Sequence, residues 1–311
     1  MFSGNRSEPV PPSLAAAERS ETGLRGHEPW LPNIPSLLPA RAWVGLALVV
    51  VCWPLDWALP GLRTQLLFVP LWVGYILALD GLVFVRKGTS LWLRSRIRFL
   101  ALFVMSAPVW WMFELFNWRV ENWQYIGRGQ FTTLQFGVLT TLCFATVVPA
   151  ILTTAELVST FINRAPRGPS IGPSAPVLTA LFASGVAMLT LAMVWPRYYF
   201  PFVWTSVVFI TEPINAILGF PTLLSWTKDR NWEPVISLCL GGLICGFFWE
   251  LWNYFSFPKW TYTIPFVGFW HIFEMPLLGY GGYLPFALEI YALYNFVTGI
   301  TRRVRSDYVQ L

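Results

Sequence analysis

The chain has 311 residues, of which 55% are hydrophobic and 12% are charged, and its mean hydropathy is +0.54. An ordinary globular protein carries about 25% charged residues, so this composition excludes a typical soluble domain and indicates a membrane protein. The net charge of +5 does not indicate nucleic-acid binding, because the basic residues lie in short segments between apolar runs and form no continuous patch.

The pattern of apolar residues predicts an all-α membrane protein. Residues 1–40 are rich in Pro, Ser, Arg and Glu, which predicts a disordered cytoplasmic tail. After them come about eight apolar stretches, each close to the roughly 20 residues that a helix needs to cross the hydrocarbon core. The predicted spans are 42–60, 64–85, 97–118, 133–162, 176–196, 202–224, 234–255 and 272–299.

The distribution of Lys and Arg predicts the orientation of these spans. Most of the 21 basic residues fall in the two tails and in alternate loops, whereas the remaining loops carry one or two each. Cytoplasmic loops are enriched in Lys and Arg. We therefore expect both termini in the cytoplasm, with a bacterial inner membrane as the expected location.

The chain also contains an internal repeat, in which two segments share Glu, Asn, Trp and Tyr in the same order. The Glu and Asn positions lie 136 residues apart, and the Trp and Tyr positions 137. The two segments are residues 111–118 (WMFELFNW) with Trp123 and Tyr125, and residues 247–254 (FFWELWNY) with Trp260 and Tyr262.

The repeat predicts the domain organisation. Each half would hold four helices, and an even number gives both halves the same orientation, so the repeat would be parallel, with its axis along the membrane normal. The predicted organisation is a tail at 1–40, a first four-helix repeat at 41–163, a cytoplasmic linker at 164–175, a second four-helix repeat at 176–300 and a cytoplasmic tail at 301–311.

The paired acids are the first candidates for chemistry. An ionised carboxylate at the bilayer centre costs about 2.5–3.5 kcal/mol on insertion scales, so such groups are expected to face the interior of the bundle. Glu114 with Asn117, and Glu250 with Asn253, are each three residues apart, which places acid and amide on one helix face. We expect the duplicated halves to bring the two pairs together. The same side chains would also suit plain interhelical hydrogen bonding.

A third acid, Glu274, lies in a stretch where Pro276 and several glycines loosen the predicted helix. His271 precedes it by three residues and is expected to pair with it on the same face. Both residues are therefore candidates for the site. The other acids are interpreted as structural or boundary residues: Glu156, Glu212 and Glu289 as structural, Asp56 and Asp80 as solvated positions near helix ends.

Tryptophan is unusually frequent, with 18 in the chain. Trp123, Tyr125, Trp260 and Tyr262 are interpreted as an interfacial belt or, alternatively, as a rim over a ligand pocket. Aromatic faces attract cations. Paired acids beside an aromatic pocket would suit protonation of an alkene followed by cyclisation or isomerisation through a carbocation.

The second half resembles the small membrane lycopene cyclases of the heterodimeric and fused-repeat type. The resemblance rests on residues 249–252 (WELW), Gly268 and residues 274–277 (EMPL), and in the first half on Glu114 with its neighbours. It implies a β-ionone-type ring closure on a polyprenoid, initiated by a protonated carboxylic acid without redox change.

Three functions are compatible with the sequence: a redox-neutral cyclase or isomerase of a prenyl-type lipid, a small transporter using the repeat interface, and a non-catalytic membrane subunit or lipid-binding scaffold. The expected partner is a membrane lipid or polyprenoid, not nucleic acid, with a homo- or hetero-oligomer also possible. No metal and no cofactor are expected, since the four cysteines lack ligand spacing and the only histidines are His27 and His271.

The enzyme hypothesis gives each candidate residue a role. Glu250 and Glu274 are the proton donor and its partner, and Glu114 is the acid of the other half. Asn117 and Asn253 orient the acids, and the cation pocket is lined by Trp249, Trp252, Trp260 and Tyr262.

Overall fold

The computed structural model describes residues 37–59, 66–301 and 308–311. Most of the tail predicted over 1–40 lies outside the described residues. The same holds for His27 and Arg63, and for the basic residues of the carboxy-terminal tail between 302 and 307.

The described chain is mostly helical, and four short strands accompany the helices. The helices are α1 (Ala40–Ala58), α2 (Phe68–Lys87), α3 (Leu91–Arg94), α4 (Arg96–Val120), α5 (Thr133–Phe144), α6 (Val147–Ser159), α7 (Ala175–Val194), α8 (Pro196–Tyr199), α9 (Val203–Ile217), α10 (Leu223–Lys228), α11 (Glu233–Asn253) and α12 (Tyr283–Ile300). The strands are β1 (Trp123–Ile126), β2 (Lys259–Tyr262), β3 (His271–Ile272) and β4 (Met275–Pro276).

Seven helical segments within the described residues are long and apolar enough to cross a membrane. These seven segments agree with the prediction of a helical membrane protein. They are Ala40–Ala58, Phe68–Lys87, Arg96–Val120, Thr133–Ser159, Ala175–Val194, Pro196–Ile217 and Glu233–Asn253.

The last predicted span differs from the structure. A helix was expected over 272–299, but residues 271–276 form the β3–β4 hairpin and Leu277–Gly282 form a 3₁₀ helix. Helix α12 begins only at Tyr283 and has 18 residues. Pro276 and the glycines that follow it disfavour an α-helix here, and α12 carries Glu289 and Asn295, which lower its hydropathy.

Glycine allows close contact between helices at the α1–α2 interface. A Cβ atom built at Gly45 would lie 2.5 Å from the carbonyl oxygen of Gly74 and 2.6 Å from the backbone nitrogen of Ala78. The two backbones are therefore nearly in contact. Small residues permit such packing between membrane helices, where van der Waals contact drives association.

This contact gives a testable prediction. Gly45→Ala should destabilise the protein by about 1–3 kcal/mol, because the added methyl group forces apart two packed backbones. Gly137→Ala in α5 is the matched control, since a Cβ atom there meets nothing within 4 Å and alanine favours a helix. Thermal unfolding in detergent should show a lower midpoint for the first variant only. Equal midpoints would contradict the close packing.

The end of the chain packs against the first half. Tyr308 and Val309 are buried, and the hydroxyl group of Tyr308 donates to the carbonyl oxygen of Leu91 at 3.1 Å. The backbone nitrogen of Gln310 donates to Glu156 at 2.7 Å. Residues 308–311 are therefore part of the folded structure.

Candidate functional site

Glu114 lies in the last two turns of α4 and is half-buried. Its Oε1 atom accepts three hydrogen bonds: from the indole nitrogen of Trp110 at 2.9 Å, from that of Trp123 at 3.0 Å and from the hydroxyl group of Tyr125 at 2.6 Å. Several donors on one carboxylate oxygen fix the position of the side chain.

Glu250 lies at the corresponding point of α11 and is 0% exposed. Its Oε1 atom accepts from the hydroxyl groups of Tyr262 at 2.6 Å and Tyr283 at 2.7 Å, and from the indole nitrogen of Trp260 at 3.4 Å. Its Oε2 atom is buried and has no hydrogen-bond partner. The two acids thus have the same kind of surroundings, built from one Trp-x-Tyr strand each and one further aromatic donor.

The two asparagines do not bind the acids. Asn117 donates to the carbonyl oxygen of Trp123 at 2.8 Å and accepts from its backbone nitrogen at 3.2 Å. Asn253 makes the same two bonds to the backbone of Trp260, at 2.7 and 2.9 Å. Each carboxamide therefore holds the strand that presents the Trp and Tyr side chains. Neither carboxamide bonds to the acid that it was expected to orient, and these backbone bonds occupy the carboxamides that were predicted to bind substrate.

The two strands pair with each other. Strands β1 and β2 are antiparallel, and Trp123 lies opposite Tyr262 while Tyr125 lies opposite Trp260. The donor groups of Glu114 and of Glu250 are therefore brought side by side. The two carboxyl groups accept hydrogen bonds from separate sets of partners. The paired strands therefore connect the two acids, which do not bond to each other directly.

A cavity of about 420 Å³ lies beside this strand pair. Donors to both acids form part of its wall: Trp110, Trp123 and Tyr125 from the Glu114 set, and Trp260, Tyr262 and Tyr283 from the Glu250 set. Much of the remaining wall is aromatic or aliphatic and includes Phe68, Phe144, Phe200, Trp204, Trp249 and Phe286. The two strands are thus a rim over a pocket, which was the alternative to an interfacial belt.

Phenols and indoles separate the carboxyl groups from the cavity. Burial raises the pKa of Tyr262 well above its usual range, and the nearby Glu250 carboxylate raises it further. Burial and Glu114 do the same to the pKa of Tyr125. Both phenols therefore stay protonated at physiological pH, and each is a donor in contact with a carboxyl group on one side and with the cavity on the other.

The segment between β2 and α12 closes one side of the cavity, to which it contributes Met275 and Leu278. Three aromatic residues in it, Phe266, Trp270 and Phe273, have φ angles of 66°, 51° and 57°. Left-handed backbone is unfavourable for bulky residues, and such strain is concentrated at functional sites.

Glu274 and His271 are placed differently from the sequence prediction. Glu274 forms an ion pair with Lys259, and His271 is exposed in β3, opposite Pro276. The expected His271–Glu274 pair is therefore not formed, because the helix that would have placed them on one face is replaced by a hairpin. Neither residue lines the cavity.

The two tryptophans of α11 have different positions. Trp249 lines the cavity, as expected for a residue of the cation pocket. Trp252 is 1% exposed and packs against Trp72 and Trp53, with ring centroids 4.9 and 6.1 Å apart. It does not line the cavity, so the structure gives it a packing role.

Two aspartates were expected to be solvated at helix ends, and this is wrong. Asp56 and Asp80 are both 0% exposed. Asp80 pairs with Arg41 at 2.8 Å and accepts from the backbone nitrogen of Trp92 at 3.0 Å, whereas neither oxygen of Asp56 has a partner.

The three acids interpreted as structural each bond to another part of the chain. Glu156 pairs with Arg94. Glu212 accepts from the backbone nitrogen of Leu223 at 2.8 Å, and Glu289 from that of Val207 at 3.0 Å.

Several cavity residues were not identified from the sequence. Tyr283 follows a Gly-Gly pair and gave no repeat signal, although a Tyr at the start of a helix beside two acids is a possible donor. Trp110 lies one turn before Glu114, at the i−4 position, where a donor to the acid could have been predicted from the sequence.

Within the described ranges, no group of three or more His, Cys, Asp or Glu side chains is placed to hold a metal ion.

Comparison of the chain with models of protein families, with curated proteins and with solved structures finds no match.

Proposed function

We propose that the chain crosses the bilayer eight times in two parallel four-helix repeats, with both termini in the cytoplasm of a bacterial cell. Corresponding helix contacts support the repeat: α1 packs on α2 as α7 packs on α9, α2 on α6 as α9 on α12, and α4 on α6 as α11 on α12. The antiparallel β1–β2 pair is what a two-fold axis along the membrane normal would produce from two equivalent strands.

A second pair of acids supports the same repeat. Asp80 in α2 accepts from the first turn of α3, and Glu212 in α9 accepts from the first turn of α10. In both cases a carboxylate lies at the amino-terminal end of a short helix, where the backbone N–H groups favour negative charge. The equivalence covers local hydrogen bonding as well as sequence.

We further propose that the protein binds a prenyl-type lipid in the aromatic cavity and catalyses an acid-initiated, redox-neutral cyclisation or isomerisation. The observation that carries this proposal is that donors to both acids, Tyr262 and Tyr125 among them, share the wall of one aromatic cavity. General acid catalysis needs a positioned proton donor, and aromatic faces stabilise the cation that protonation creates.

The reaction would proceed through a proton relay. With Glu250 protonated, its carboxyl group would donate to the phenolic oxygen of Tyr262, and the phenol's own proton would turn toward the cavity. Tyr262 would give that proton to an alkene carbon, whose π electrons form the new C–H bond, and would take the carboxyl proton of Glu250 in its place. The resulting cation would be attacked by a second alkene, or would shift directly. A proton would then leave the adjacent carbon through Tyr125 to Glu114. One proton is added and one is removed, so no oxidant or cofactor is needed. A proton would then have to return from Glu114 to Glu250, by way of water, before the next turnover.

Non-catalytic lipid binding is the second candidate, and one observation favours it. Three donors already converge on a single oxygen of Glu114, a geometry that also suits a purely structural anchor. In that case the cavity would bind its lipid without changing it.

Expression in a polyprenoid-producing host tests these alternatives. Mass and chromatographic comparison of extracted lipids should reveal a product of unchanged mass that is absent from cells carrying the empty vector. If the protein co-purifies with a prenyl lipid and no isomer forms, the binding function is favoured. If it yields neither product nor bound lipid, the proposed function is wrong.

A further inference from the structure

Asn122, between α4 and β1, has its backbone fixed by the surrounding structure. Its backbone nitrogen donates to the carboxamide oxygen of Asn117 at 2.9 Å, and its carbonyl oxygen accepts from the backbone nitrogen of Thr263 at 2.8 Å. On the side of Asn122, both bonds use only the main chain. The position of the residue therefore does not depend on its own side chain.

The side chain of Asn122 lines the cavity and is not satisfied by the protein. The residue is 3% exposed, and its Oδ1 atom is buried without a hydrogen-bond partner. Buried polar groups in folded proteins are nearly always hydrogen-bonded, so an unpaired one calls for a specific explanation. A ligand in the cavity supplies that explanation.

Two other polar groups of the wall are already engaged. The hydroxyl group of Ser256 donates to the carbonyl oxygen of Asn253 at 3.1 Å, and that of Thr140 to the carbonyl oxygen of Phe136 at 2.8 Å. In contrast to these, the carboxamide of Asn122 has no partner within the described part of the protein and lies in an otherwise mostly apolar wall. A few such polar groups usually fix the orientation of a ligand in an apolar pocket.

We infer that the ligand is a hydroxylated isoprenoid, whose hydroxyl group hydrogen-bonds to Asn122, and not a pure hydrocarbon. A hydroxyl group both donates and accepts, so it satisfies the carboxamide in either orientation of the amide. This inference rests on the proposed function, in that it names the chemical class of the prenyl-type lipid.

Binding of a matched pair of probes tests the inference. The purified protein in detergent is titrated with farnesol, or with its deoxy hydrocarbon in which hydrogen replaces the hydroxyl group, and bound molecules are counted by native mass spectrometry. Farnesol should bind about tenfold more tightly than the hydrocarbon, as expected for one hydrogen bond to a buried group. In Asn122→Leu this preference should disappear.

The comparison between variants removes the main artefact. The two probes partition differently into detergent micelles, but that difference is the same for wild type and for Asn122→Leu and cancels from the ratio. Asn163→Leu, at an exposed position, should keep the wild-type preference.

The outcomes separate the two proposals. Equal binding of the two probes to wild type, or an alcohol preference that survives in Asn122→Leu, would overturn the inference alone. Binding of neither probe would overturn the proposed lipid-binding function and this inference with it.

Discussion

Glu250→Gln is expected to reduce formation of the isomeric product by at least about 100-fold, the usual contribution of a general acid. Glutamine keeps the size of the side chain but has no acidic proton, so Tyr262 could not be reprotonated after donating into the cavity. The protein should still accumulate in the membrane and bind its ligand. Product from extracted lipids, normalised to the amount of protein, measures the effect.

Glu121→Gln is the matched control for this experiment. Glu121 follows α4, seven residues after Glu114, and is exposed. The same chemical change there should leave product formation within about twofold of wild type, since surface substitutions are usually near neutral. If Glu250→Gln retained full activity, Glu250 would be removed from the mechanism.

A comparison of the two acids adds a further distinction. Glu114→Gln removes the proposed proton acceptor, so it should also lower product formation. In the non-catalytic alternative, both variants would leave lipid composition unchanged and would alter only ligand binding. The pair of variants therefore separates catalysis from binding.

The helical spans were predictable because membrane crossing imposes a length and a hydropathy on each of them. The Glu, Asn, Trp and Tyr repeat was predictable for a different reason, since it repeats in the sequence itself. It pointed to the segments around Glu114 and Glu250, where each acid accepts from one Trp-x-Tyr strand and one further aromatic donor. Both features are visible in the sequence without knowledge of the tertiary contacts.

The partners of the buried acids were not predictable, because they come from distant parts of the chain. Asp80 pairs with Arg41, 39 residues away, and Glu156 with Arg94, 62 residues away. Within the predicted spans, Arg98 is the one basic residue. Arg41 and Arg94 lie just outside those predicted spans, and their long side chains reach the acids.

The antiparallel pairing of β1 with β2 was also missed, since it joins residues about 136 positions apart. Two four-residue strands give little periodicity, and their aromatic residues are typical of an interfacial belt as well. The sequence predicted that Pro276 loosens the helix, but it could not show that a hairpin and a 3₁₀ helix would replace the helix as far as Gly282. The cavity follows from these non-local features.

Asn253→Ala is expected to destabilise the protein by about 2–4 kcal/mol. Asn253 is 0% exposed, and its carboxamide satisfies both the N–H and the C=O group of Trp260. The truncation leaves those backbone groups without partners, at a cost of about 1–3 kcal/mol each when they remain buried. Thermal unfolding in detergent should show a clear fall in the midpoint, while Asn163→Ala, at an exposed position, should show none.

The same variant distinguishes a positioning role from a substrate-binding role. Strand β2 carries Trp260 and Tyr262, so loss of its anchor should reduce stability and ligand binding together. Asn253→Asp, which keeps the oxygen that accepts from Trp260 but loses the donor, should lie between wild type and alanine in both measurements. If Asn253→Ala instead lost ligand binding at an unchanged unfolding midpoint, Asn253 would contact the ligand directly, and the strand-anchoring role would have to be abandoned.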